Sequence, residues 1–349
     1  MTEVKTLKKT DKISNPVTQD GSTERLCLVT GGAGMIGSNL VKELVHRGFH
    51  VRVADNLWRG RLENLYSDAG VCVIDLKKDF FKVDLAVPGS CDAALDGVDF
   101  VYHLADVVAG IDYVFTHQGE IFRQNILINS NVIDSVRRFK PKGFIYVGTA
   151  CSFPASRQNS INAIPLREEE LFPAAPESAY GWSKLIAHYE TELMEKEAGV
   201  PSATLILHNV YGVPTDYDIR TSQVIPSLIL KAIQYPGQPF VVWGSGSQSR
   251  AFVHVRDIVK ALLLTKEKGL GHGVIQIGPS YSTTIKELAG LVVNISKKKI
   301  SIQYDPTRPE GDKARCADYS KAKRILGWEP EISLEEGLSE LYAWIEKHM

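Results

Sequence analysis

The feature that most restricts how this chain can fold is a glycine cluster between a short apolar run and an amphipathic stretch. Leu26-Cys27-Leu28-Val29 reads as a buried strand, and Thr30-Gly31-Gly32-Ala33-Gly34-Met35-Ile36-Gly37 follows it at once. Asn39 to Arg47 then reads as a helix stopped by Gly48. Glycines at 31, 34 and 37 allow a tight turn, close approach of backbone to a pyrophosphate, and close helix–strand packing. The helix start offers an anion unpaired N–H groups and a partial positive charge. Gly31, Gly34, Met35, Ile36 and Gly37 are therefore candidate cofactor-binding residues.

Asp55 follows the next apolar run, His50 to Ala54, at the right distance from the glycines. A carboxylate there accepts hydrogen bonds from adenosine ribose hydroxyls and repels a 2′-phosphate, which favours NAD over NADP. Arg59 and Arg61 lie just downstream and keep NADP open. Asp84, after Phe81-Lys82-Val83, is a candidate for the adenine amino group, or an ordinary exposed loop carboxylate.

Further apolar runs at Val71 to Ile74, Phe100 to Leu104, Phe144 to Val147 and Ala203 to Leu207 read as strands. Ile121 to Phe139 and about 178 to 196 read as helices between them. Alternation of this kind implies an α/β fold, a Rossmann doubly wound parallel sheet. After Tyr211 prolines and glycines crowd together, which points to a smaller, discontinuous C-terminal substrate-binding domain. The expected division is a flexible tail over 1–24, a cofactor domain over 25–210 and a mainly substrate-binding part over 211–349. Strands near 252–260 and 274–277 are expected to return to the first sheet.

Composition excludes several classes. Lys and Arg total 40 against 41 Asp and Glu, so the bulk positive field of a nucleic-acid binder is missing. No apolar run approaches the roughly 20 residues of a membrane span, and a cytoplasmic enzyme is the expectation. Five scattered cysteines, with no Cys-x-x-Cys pair, argue against disulfides and a zinc site.

Tyr180-Gly181-Trp182-Ser183-Lys184 puts a phenol and an ammonium on one helix face. A phenol ordinarily ionises near pH 10; the Lys cation and an oxidised nicotinamide are expected to favour the phenolate. Tyr180 can then exchange a proton with a substrate hydroxyl.

With these residues in view, the chain from about Arg25 to His348 resembles the extended short-chain dehydrogenase/reductase family of sugar-nucleotide epimerases, dehydratases and reductases. The resemblance runs through Thr30 to Gly37, Asp55-Asn56-Leu57, Tyr102-His103-Leu104-Ala105, Tyr180 to Lys184, Asn209-Val210-Tyr211-Gly212, Trp243-Gly244-Ser245-Gly246, Arg308-Pro309 and Asp318 to Trp328. It implies Tyr180, Lys184 and Thr149 as catalytic residues, with Leu104 and Ala105 beside the cofactor. It also implies Arg250 and Arg308 as a diphosphate clamp, Asn209 and Asn125 near the substrate, and a homodimer through the helix of Tyr180 and the one before it.

Gly148-Thr149-Ala150-Cys151-Ser152-Phe153-Pro154 resembles GDP-mannose 3,5-epimerases and GDP-fucose synthases, in which the matching Cys is an acid/base beside a transient ketone. Cys151 is accordingly a candidate catalytic and substrate-binding residue. Where those enzymes carry a Lys or a His in a later loop, this chain has Asp218 and Gln223; Gln223 cannot exchange protons, which leaves Asp218 or water as the second base beside Cys151. The leading expectation is an NAD-dependent, GDP-mannose 3,5-epimerase-like enzyme acting on a nucleotide diphosphate sugar. The alternatives are a nucleotide-sugar 4-epimerase, a GDP-4-keto-6-deoxy-sugar epimerase/reductase and a non-catalytic NAD sensor.

Overall fold

The computed structural model describes residues 26–349 apart from 109, 219–221 and 309–310. The tail expected over 1–24 lies outside the described residues, as does Pro309. Seven parallel strands form the central sheet: β1 (Leu26–Thr30), β2 (His50–Asp55), β3 (Phe80–Lys82), β4 (Phe100–His103), β5 (Gly143–Thr149), β6 (Ser202–Leu207) and β7 (Gly273–Ile277). Their order is β3-β2-β1-β4-β5-β6-β7. The chain therefore leaves β1 toward one edge and returns to build the other. The crevice between β1 and β4 opens where ligands bind in sheets of this kind, at the carboxyl ends of the strands.

Alternate strand residues face opposite sides, and both sides are buried, as a parallel sheet covered by helices requires. Val29, Val53, Tyr102, Ile145 and Leu205 pack with Leu40, Val41 and Leu44 of α1 (Met35–His46). Leu28, Val101, Phe144 and Tyr146 pack with Ile128, Val132 and Val136 of α2 (Gln118–Phe139) and with Ala187 and Met194 of α3 (Ala179–Ala198). Each such aliphatic side chain contributes about 1.5–3 kcal/mol on burial.

Two sequence expectations change here. The third strand is Phe80–Lys82 and not Val71 to Ile74. The latter run is tied by an antiparallel bridge between Tyr66 and Cys72, and its Cys72, Val73 and Ile74 pack part-buried on the rim of the core while Val71 is exposed. At 252–260 only Phe252–His254 is a strand, paired with Asn209–Tyr211 outside the central sheet. His254 accepts a hydrogen bond from the Arg256 N–H (3.3 Å), and from Val255 to Lys268 the chain is helix α4, which buries Ile258 and Leu262 against the α1 side. The run at 274–277 does return, as β7.

A separate apolar cluster lies in the later chain, built from Ile225, Leu228, Ile229, Phe240, Leu288, Leu338 and Leu341. It is formed by helices Val224–Gln234, Ile285–Ser296 and Leu334–His348 over a parallel pair, Phe240–Trp243 with Ile302–Asp305. A small sheet orders Thr283–Thr284, Ser249–Arg250, Ala314–Ala317 and Pro165–Leu166, and its register sets Arg250 beside Arg315.

Candidate active site

Gly34 caps α1 without a side-chain hydrogen bond, so the first N–H groups of the helix are left for an anion. Two glycines there have no substitute. Gly31 sits at φ +66°, and a Cβ on Gly37 would lie 2.2 Å from the Gly31 carbonyl oxygen. Thr30 Oγ1 accepts from the N–H groups of Leu104 (3.1 Å) and Ala105 (3.2 Å), drawing that turn against the glycines. Asp55 is nearly buried, its Oδ2 accepting from Ala33 N–H (3.0 Å) and its Oδ1 from Leu57 N–H (2.8 Å). Burial raises its pKa, and these two bonds oppose the rise.

Gly31, Gly34, Met35, Ile36, Gly37, Asp55, Leu104 and Ala105 all line one cleft of about 1810 Å³. Bare helix N–H groups, backbone that no side chain may crowd and a buried carboxylate at the end of β2 fit a dinucleotide. Asp84 does not join them. It is exposed and its carboxylate accepts from Ala86 N–H (3.0 Å), while its neighbours Val83 and Leu85 line the cleft.

Tyr180, Lys184, Thr149 and Cys151 line the same cleft. Ser178 caps α3 by accepting from Gly181 N–H (3.2 Å). A Cβ on Gly181 would lie 2.1 Å from the Cys151 carbonyl oxygen, so this glycine lets α3 press against the turn after β5. That contact sets the Tyr180 hydroxyl beside Thr149, within reach of a hydrogen bond.

Lys184 forms a buried ion pair with Asp106 and lies 4.6 Å from the centre of the Tyr146 ring. Asp106 in turn accepts from Asn129 (3.0 Å), which contacts His103 (2.9 Å), which contacts Thr30 (2.7 Å). Burial first, then the Lys184 charge, pushes His103 down to about 3. It is a neutral link in this chain of bonds.

The expectation that Lys184 favours the Tyr180 phenolate is not met in the free chain. Burial pushes the Tyr180 pKa well up, and the negative charge of Asp106 adds to it; Thr149 and Arg315 pull the other way. The reason is that the Lys184 charge is spent on Asp106.

Asn125 is also placed differently from expectation. It is fully buried, accepts from Val107 N–H (2.7 Å) and donates to Val107 O (3.2 Å), so it positions the loop after β4 and does not reach the substrate space.

On the other wall, Arg250 and Arg315 are both almost buried and line the cleft. Arg250 donates to the Asp312 carbonyl (2.7 Å), and burial followed by its neighbour Arg315 lowers its pKa to about 10. Arg315 Nη1 reaches Cys151 Sγ (3.3 Å), Gln158 Oε1 (3.1 Å) and Asp312 Oδ2 (3.0 Å), and its buried Nε has no partner among the described residues. Arg308 lies elsewhere. It is half exposed, stacks 5.0 Å over Trp243 and pairs with Asp305 at 3.6 Å. Asn209, Asp218 and Gln223 line the cleft. The sequence reading did not single out Arg315, Asp106 or Glu177. Their signals were a lone Arg in the small-residue run Ala314–Ala317 and a carboxylate directly after His103-Leu104-Ala105; Glu177 had only its closeness to Tyr180.

Residues 27–278 match the NAD dependent epimerase/dehydratase family. The chain belongs to that family. As a member of the NAD-dependent epimerase/dehydratase family it is an enzyme, and its relatives act on nucleotide sugars. It is 29% identical to a GDP-mannose 3,5-epimerase of Arabidopsis thaliana over 92% of this chain and 82% of the relative. Identity to a GDP-L-fucose synthase of Escherichia coli (strain K12) is 28%, over 90% and 95%. Among solved structures, a UDP-glucose 4-epimerase of Thermotoga maritima, determined with UDP-glucose, superposes with a TM-score of 0.81 at 29% identity, over 93% and 99%.

Proposed function

We propose that this enzyme is an NAD-dependent nucleotide-sugar epimerase of the GDP-mannose 3,5-epimerase kind, inverting carbon beside a transient ketone. The observation that carries the reading is the Cys151 sulfur, set in the same cleft as Tyr180 and Thr149 and touched by Arg315. Bound NAD would take hydride from a sugar carbon and later return it. Asp55 supports NAD over NADP, and so does Arg59, whose guanidinium is spent on Val108 O (2.9 Å) and Asp216 (3.7 Å). Thr149 holds the Tyr180 hydroxyl, and Tyr180 moves the proton of the reacting oxygen. Arg250 and Arg315 are the pair for a sugar-linked diphosphate, since a guanidinium bonds phosphate oxygens two at a time. Cys151 exchanges protons with carbon made acidic by the neighbouring ketone. The similarity to GDP-sugar enzymes over most of the chain supports a GDP-sugar.

A 4-epimerase is the second reading. Gln223 cannot exchange protons, and the similarity to the Thermotoga maritima 4-epimerase equals that to the 3,5-epimerase. The test is incubation with GDP-mannose, UDP-glucose and dTDP-glucose in deuterated water, followed by NMR. Carbon-bound deuterium, abolished in Cys151→Ala while nicotinamide reduction persists, supports the first reading. Epimerised product without carbon-bound deuterium, still formed by Cys151→Ala, establishes the second.

A further inference from the structure

Inversion beside a ketone needs two groups, one to remove the carbon-bound proton and one to return a proton. We propose that Glu177, which lines the cleft beside Asp312, is the second acid/base group of this site and works with Cys151. The inference rests on the 3,5-epimerase reading above and supplies the partner which that reading lacks.

The 213–223 loop supplies no good candidate. Gln223 carries no exchangeable acid, and Asp218 stands where the cleft meets a small adjoining pocket lined by Arg61, His348 and Met349. Glu177 lies three residues before Tyr180 and faces the cleft. Its carboxyl lies beside that of Asp312, within reach of a hydrogen bond. Two ionised carboxylates have no proton to share, so a hydrogen bond between them would need one of the pair protonated. Asp312 is nearly buried, and without that proton its Oδ1 has no donor among the described residues. Its Oδ2 shares Arg315 Nη1 with the Cys151 sulfur. One guanidinium nitrogen thus anchors both the thiol and the carboxyl pair.

The charged groups facing Glu177 are Asp312, Arg315 and Arg250. Burial and Asp312 push its pKa up to about 7 against the pull of the two guanidiniums. A carboxylate of that proton affinity is a better base than an ordinary one and is ready near neutral pH.

With the adjacent carbon oxidised by the bound NAD of the proposed function, ionised Glu177 takes the proton from carbon. The C–H electron pair becomes the C=C bond of an enolate, and the proton comes to lie between Glu177 and Asp312. The Cys151 thiol then protonates the carbon's other face. The enolate pair forms the new C–H bond, and the thiolate left behind lies against Arg315. Solvent reprotonates the sulfur and removes the proton from the carboxyl pair.

The test uses the full chain with NAD and the same three nucleotide sugars in deuterated water. Glu177→Gln should still reduce nicotinamide on sugar addition, lose at least roughly 100-fold of the deuterium wash-in to carbon, and lose the limb of the pH–rate profile near 7. Asp312→Asn should slow wash-in far less than Glu177→Gln does and move that limb about one unit toward lower pH, because the like charge that raises Glu177 is gone. Wash-in at the wild-type rate in Glu177→Gln, with the limb unchanged, overturns the proposal. Nicotinamide reduction by wild type without any wash-in also overturns it, while leaving the hydride chemistry standing. If no sugar reduces the nicotinamide of wild type, the epimerase reading fails and takes this inference with it.

Discussion

Replacing Asp106 by Asn tests both the stability and the electrostatics of the site. The Asp106 and Lys184 side chains are each 4% exposed and pair with one another. Removing one partner of a buried pair leaves a charge without compensation and costs about 3–5 kcal/mol. Lys184 can escape that only by giving up its proton. From an ordinary value near 10.4 that costs about 4.6 kcal/mol at pH 7, less the part by which burial already lowers it. The lower end, about 3 kcal/mol, is the expected loss, or roughly 6 °C in melting temperature at about 2 °C per kcal/mol. The same change removes a negative charge that raises the Tyr180 pKa. The phenol then ionises at lower pH, and the pH dependence of nicotinamide reduction should move in that direction. Thermal unfolding by circular dichroism and a pH profile of nicotinamide absorbance read the two effects. Asp106→Glu, which keeps the charge, should restore the profile. An unchanged melting temperature together with an unmoved profile would refute the claim that Asp106 holds the Lys184 charge.

Gly37→Ala forces a Cβ to 2.2 Å from the Gly31 carbonyl oxygen; at about 1–3 kcal/mol for such crowding, NAD affinity by calorimetry should fall roughly 10- to 100-fold. A homodimer is expected by light scattering, because Trp182, Ile186 and Tyr189 make an exposed stripe along α3 while Ile121, Ile128, Ile133 and Leu185 are used up inside; a monomer at micromolar concentration contradicts it. Burial lowers His103 to about 3 and His188, His208 and His254 to about 4. Below about pH 6.5 the unfolded chain binds protons that the fold refuses, so stability is full above that pH and is lost as pH falls toward 4; a flat unfolding free energy across this window would count against neutral, buried histidines.

What the sequence revealed is what depends on neighbours along the chain. The β1–glycine–α1 unit, Asp55 at the end of β2, and Tyr180 and Lys184 one helical turn apart are local patterns, and the structure brings all of them to one cleft. The charges that decide how these groups behave come from far away. Asp106 meets Lys184 across 78 positions, and Arg315 meets Cys151 across 164. No spacing rule reports such contacts. Arg308 attracted notice for its Arg-Pro context, yet the register of a four-stranded sheet puts Arg315, and not Arg308, beside Arg250. Val71 to Ile74 misled for a related reason: its Cys72, Val73 and Ile74 serve the rim of the core, while the β3 position falls to a run of only three residues.

These distant contacts also change how Tyr180 can work. Lys184 was expected to hold the phenolate, but its charge is balanced by Asp106 and brings no net positive field to the phenol. Tyr180 in the free chain is therefore a proton donor. On the proposed function it would become an acceptor beside an oxidised nicotinamide, because a positive charge there would oppose that of Asp106. With such a cofactor reduced, that opposing charge would be gone and Tyr180 would hold its proton more tightly. On the proposed reaction, that is the interval in which the sugar is a ketone. The phenol then keeps its proton for the return of the alcohol, and proton exchange at carbon is left to Cys151 and the carboxyl pair.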